Sequence, residues 1–175
     1  MLSLLFSLML MAPPPATDGG IVTLKGQHLL AEVARTPVER EKALAYRQFF
    51  KAERCMFVIP AEEGPHSVRT TKFLIPFDVA WIDAEGTVVE TLTSVPPCRS
   101  GVDCPLHGGT KPSRYHLFLA TGTLRRLKIM PGDKIHWDLH FTDGTHLLNG
   151  PEVGPNALPS SKAVRGKRRS GTKRK

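Results

Sequence analysis

The stretch Phe73-Leu-Ile-Pro-Phe-Asp-Val-Ala-Trp-Ile-Asp-Ala-Glu-Gly-Thr-Val-Val-Glu90 constrains the fold of this chain more than any other. Phe77 to Ile82 and Val88 to Leu92 read as two strands joined at Ala84-Glu85-Gly86, and Pro96-Pro97 ends the pair. Both runs are apolar on more than one face, which predicts burial on both sides.

Around this hairpin the chain is punctuated into short elements. Ile21–Leu24 and His28–Ala34 predict strands around a turn at Lys25-Gly26. Thr36, Pro37 and Glu39 form a capping box with proline in the first turn. The helix they start is predicted to run to about Arg47 with Val38, Leu44 and Ala45 on its buried side. Cys55–Ile59 is a short apolar strand stopped by Pro60, and Tyr115–Leu119 is another. Thr121–Leu127 has room for one or two helical turns. From Lys134 to Phe141 the chain alternates, with Ile135, Trp137, Leu139 and Phe141 on one face and His136, Asp138 and His140 on the other. Asp143-Gly144 is a hairpin signal. Many short strands and two short helices imply a mainly β (α+β) domain, a compact antiparallel open barrel or sandwich, and exclude a doubly wound fold.

The 175 residues suit one domain. The net charge of +8 belongs to the end of the chain: Lys162, Arg165, Lys167, Arg168, Arg169, Lys173, Arg174 and Lys175 carry eight positive charges with no acid among them. The body is neutral, so its charge points to no nucleic-acid groove. Residues 151–175 read as a disordered basic tail, with a polyanion contact through 162–175 or a merely solubilising role as the two readings. At the other end, Leu2–Met11 is apolar apart from Ser3 and Ser7 and leads into a Pro-rich spacer. The run is too short to span a bilayer, which takes about 20 helical residues. It fits a secretory signal over residues 1–16, although no Lys or Arg precedes it; a buried first element or a misassigned start codon is the rival reading. An exported protein, periplasmic or extracellular, is therefore expected. It would have a linker or first strand at 17–27 and a folded domain at 28–150.

Several blocks, in order, resemble one family. They are Thr36-Pro-Val-Glu-Arg40, Cys55-Met-Phe-Val-Ile59, Ile75-Pro-Phe-Asp-Val-Ala-Trp-Ile-Asp83, Val95-Pro-Pro-Cys98 with Cys104-Pro105, Tyr115–Gly122 and Ile129-Met-Pro-Gly-Asp133. On these the chain is identified as a divergent member of domain-of-unknown-function family 192, of the UPF0127 type. The resemblance implies a fold and a compartment but no reaction. Where typical members carry Phe-Trp-Met-Lys-Asn-Thr, this chain reads Val68-Arg-Thr-Thr-Lys-Phe73, and the glutamate of the family's Tyr-Val-Leu-Glu strand is Phe118. If the family has a polar site, these positions are expected to build it.

Cys98 and Cys104 share a loop and, in an exported chain, read as a disulfide. A metal pair completed by His107, or free thiols, are the alternatives. Cys55 reads as a buried apolar residue. His136 and His140 are four apart, about 13.5 Å on a strand, so they cannot share an ion unaided; a solvent-facing polar face is the expectation, with no metal and no cofactor. Asp78 is the odd carboxylate among apolar neighbours, either structural or part of a pocket with Arg69, Arg114 and His116. No nucleophile elbow, phosphate loop or zinc-protease helix is present. Two function classes stay open. One is a non-catalytic envelope or periplasmic binding or accessory module for a small molecule, polymer or protein. The other is a small enzyme with a pocket near Asp78. No specific nucleic acid and no transmembrane span is expected.

Overall fold

The computed structural model describes residues 17–99 and 103–150; the predicted signal segment and the basic tail lie outside the described residues. In chain order the elements are β1 (Gly19–Leu24), β2 (Gln27–Ala34), α1 (Pro37–Lys42), β3 (Arg54–Val58), β4 (Gly64–Pro65), β5 (Val68–Arg69), β6 (Phe77–Ile82) and β7 (Val88–Val95). There follow β8 (Leu106–His107), β9 (Pro112–Ser113), β10 (Tyr115–Ala120), α2 (Thr123–Leu127), β11 (Ile135–His140) and β12 (His146–Asn149). Eight strands form one sheet in the order β12-β11-β1-β2-β3-β10-β6-β7. Every neighbouring pair is antiparallel except β2 and β3. That one parallel pair follows from α1, whose crossover brings the chain back beside β2 in the same direction.

The sheet curls into an open half-barrel. Its closing contact lies at one end, where Val88 N–H donates to Asp133 O (2.9 Å) and Ile135 N–H to Gly86 O (2.8 Å). Strand alternation then divides the side chains of the central strands between two cores. Inside the curl, Ala80, Ile82, Leu117 and Leu119 pack with Val22, Leu24, Leu29 and Ile135. Phe57, Tyr115 and Trp137 stack there with ring centroids 4.9–5.2 Å apart. On the outer face of the same strands, Phe77, Val79, Trp81 and Phe118 pack under Leu44, Val68 and Phe73.

Four expectations are corrected. The capping box forms, with Glu39 N–H bonded to Thr36 Oγ1 and Thr36 N–H to Glu39 Oε2. However, α1 stops at Lys42. The chain leaves it because Ala45 bridges Phe73 and Tyr46 N–H donates to Lys72 O (2.8 Å). Leu44 is buried in that departing segment, whereas Val38, still on the helix, is 59% exposed. Strand β6 is buried throughout, but β7 is buried only at Val88 and Val95 because no strand pairs beyond it. Asp138, expected on a solvent face, is buried. The strand expected at Ile21–Leu24 forms as β1, between β2 and β11.

Candidate functional site

The outer core is incompletely covered. Beside it lies a cleft of about 690 Å³ whose wall includes Arg40, His66, Ser67, Arg69, Thr71, Lys72, His116 and Phe118. Strand alternation supplies the floor: His116 and Phe118 of β10 point outward, while Leu117 and Leu119 point into the half-barrel. The rim comes from the loops on either side of β5.

Those loops are held by the Cys98–Cys104 disulfide (Cα–Cα 5.6 Å). Cys98 N–H donates to Thr70 O (3.3 Å), and Arg69 donates a guanidinium N–H to Cys104 O (3.0 Å). Strand β5 pairs with β8 just beyond the bridge. The predicted disulfide thus positions Arg69, and it removes the two thiolates that a metal pair with His107 would need. Cys55 is free and buried, donating weakly to Leu30 O, and burial pushes its thiol far up.

The second rim residue, His66, is fixed by its backbone. Its carbonyl accepts from Trp81 Nε1 (2.8 Å), and its ring Nε2 lies 2.9 Å from Glu62 O. Gly109 packs against that backbone with φ +66°; a Cβ there would lie 2.0 Å from His66 O, so only glycine permits the approach. The His66 and His116 rings are 5.3 Å apart. Burial, and after it the neighbouring His66, hold His116 down at about 4, so its ring is neutral at neutral pH. Its Nε2 is buried with no hydrogen-bond partner among the described residues. Such an orphan costs about 1–3 kcal/mol, which a ligand group reaching it recovers.

Of the cleft cations, Lys72 is paired with Glu41 (2.8 Å) and Arg40 bonds the carbonyls of Arg35 and Ile59. A second cleft of about 580 Å³ contrasts with this one. There Arg47 and Arg54 are both ion-paired with Glu32, and Arg35 with Asp18.

Of the predicted site residues, Arg69 and His116 line one cleft and the other two do not. Asp78 projects to the half-barrel side of β6. There Oδ1 accepts Ser94 N–H and Oδ2 accepts Leu124 N–H, each at 2.9 Å. It supplies the cap that α2 lacks, because the residue at its N-cap is Gly122. Arg114 donates to Pro60 O (2.8 Å) and lies against Tyr115. Sequence reasoning missed His66, whose loop has no periodicity to place it. It did single out the cleft wall in another way: Val68–Phe73 and Phe118 are the positions that depart from the family pattern. Phe73, Phe77 and Phe118 form an aromatic cluster there, with centroids 5.2–6.3 Å apart.

On the far edge of the sheet, Asp138 gathers His140 and His146, while His136 is not part of the group. Among the described residues no helix is long and apolar enough to cross a membrane.

The family model of DUF192, described as an uncharacterised ACR, matches residues 20–137. Two solved structures share the fold. A protein of Sinorhizobium meliloti 1021, described as a proposed transcription regulator, is 23% identical, with a TM-score of 0.61 over 73% of this chain and 98% of its own. A protein of unknown function from Novosphingobium aromaticivorans DSM 12444 is 24% identical, with a TM-score of 0.60 over 72% of this chain and 94% of its own. No curated protein matches the chain.

Proposed function

The chain belongs to the DUF192 family, and for this member we propose a non-catalytic, exported binding module whose outer cleft holds a small ligand through an anionic or acceptor group. The observation that carries this reading is the neutral, unpartnered Nε2 of His116 in the same cleft wall as Arg69. A ligand oxygen there meets a fixed guanidinium and a ring able to donate, against an aromatic floor. Most pockets have this composition, largely apolar with a few placed polar groups.

Export is supported by the apolar run of residues 2–11 and by the disulfide, which persists in oxidising compartments. Residues 1–16 are taken as the signal, 17–150 as the mature domain and 151–175 as a basic extension suited to polyanions. The alternative of a small enzyme near Asp78 has less support. Both carboxylate oxygens already receive backbone N–H groups, and the side chain lies on the sheet face opposite the cleft.

The test uses the exported protein with inorganic phosphate and citrate as probes, followed through the histidine ring NMR signals. At least one probe is expected to shift His116 saturably, with affinity about ten- to a hundredfold weaker in Arg69→Ala, the worth of a charge-assisted hydrogen bond. No perturbation by either probe, or an unchanged response in Arg69→Ala, overturns the reading.

A further inference from the structure

We propose that Asp138, His140 and His146 form a binding site for a late first-row divalent transition metal, zinc foremost, on the β11–β12 edge.

The hairpin builds the site. His140 and His146 are directly opposite each other across the two strands, and Asp138 lies two residues along the same face of β11. Two N/O donors from different strands thereby meet without the long reach that separates histidines along one strand. The Nε2 atoms of His146 and His140 lie 2.7 and 2.9 Å from the same oxygen, Asp138 Oδ1. All three donor atoms fall within 4.8 Å of one another, the one such trio among the described residues. The two rings are stacked, 4.3 Å between centroids and 8° between planes.

The scaffold beneath is fixed. Asp143 accepts Thr145 N–H (2.9 Å) and the Thr145 hydroxyl (2.6 Å) at the turn. Arg35 ties Asp143 to Asp18, and Asp18 in turn accepts Thr142 N–H (2.7 Å). The carboxylate is 5% exposed, whereas the His140 and His146 side chains are 68% and 38% exposed. One anchored ligand and two adjustable ones suit capture from solution.

Two imidazoles and one carboxylate are the donor set of zinc, copper and nickel rather than of magnesium or calcium, which take oxygen. Metal–ligand bonds of about 2.0–2.2 Å require donors a little over 3 Å apart. The two Nε2···Oδ1 distances therefore open by roughly half an ångström, and the rings turn out of their stack so that both Nε2 lone pairs converge. Each neutral ring then carries its single proton on Nδ1. Three protein ligands leave at least one position for water or a partner's ligand.

The full chain, stripped with chelator, is titrated with zinc chloride by calorimetry. One saturating site is expected in the wild type. Loss of one ligand in His140→Ala or His146→Ala should weaken it at least as much as loss of an outer-shell partner, about 10- to 100-fold. His140 is largely exposed, so its variant stays folded. His28→Ala, remote from the trio, is expected to bind as the wild type does. No zinc binding, or binding unchanged in both histidine variants, shows the cluster to be a carboxylate-bridged histidine pair only and overturns the proposal.

Discussion

The inner and outer faces of β6 and β10 are built from the same residues taken alternately, yet they differ in kind. Inside the half-barrel, Ala80, Ile82, Leu117 and Leu119 are sealed, and the one charged group, Asp78, has both oxygens engaged by backbone amides. Outside, His116 and Phe118 meet a cleft, and the His116 Nε2 buried there has no partner among the described residues. A buried donor or acceptor left unmet costs about 1–3 kcal/mol; Trp137 Nε1 inside the half-barrel is one such atom, but it does not line the cleft, whereas His116 does. An orphan retained beside a cleft is therefore best read as held for a ligand.

Adjacent positions on β10 test that contrast most strongly. Leu117→Ala opens a sealed cavity and is expected to cost about 2–5 kcal/mol in urea unfolding. Phe118→Ala, which can admit water from the cleft, should cost distinctly less. Equal losses would mean that the outer face is as tightly closed as the inner.

The next effect concerns the buried carboxylate. Asp78→Ala strands the N–H groups of Ser94 and Leu124 and is expected to lower stability by about 3 kcal/mol, while leaving the cleft's response to phosphate and citrate intact. A stable variant that no longer responds would return Asp78 to the site.

The disulfide sharpens the comparison from the other side. In the loop-entropy picture, Cys98→Ser with Cys104→Ser costs about 2 kcal/mol, because the closed loop is short. The fold should persist while probe binding weakens, since the bridge holds the segment that anchors Arg69. Unchanged binding would show that β5 keeps its place through pairing with β8 alone.

The sequence carried the inner face well and the outer face poorly, for physical reasons. The apolar face of the alternating run Lys134–Phe141, the Lys25-Gly26 turn and the Thr36 capping box are local signals, and each is realised in the fold. Cys98 and Cys104 were legible from their loop and expected compartment. The end of α1 was not, because the pull on Tyr46 comes from Lys72, far along the chain. Nor was the parallel β2–β3 pair. The His140–His146 meeting depends on the register of a hairpin, and His136, the nearer-looking partner by alternation, is not in the group. The cleft wall at Val68–Phe73 has no periodicity at all. It could be marked only by its departure from the family pattern.

His116→Leu tests the central claim most directly, because it removes the orphan and keeps an apolar side chain on the outer face. In the wild type His116 sits at about 4, below its ordinary 6.5. The folded state thus resists its protonation, and its contribution is complete above about pH 6.5 and lost as pH falls toward 4. That loss amounts to about 3 kcal/mol. Urea unfolding of the variant at pH 7 is predicted to show equal or greater stability, with a flatter decline between pH 6.5 and 4 and no probe binding in the cleft. A variant destabilised by more than about 2 kcal/mol at pH 7 that still binds phosphate or citrate as the wild type does would contradict the account.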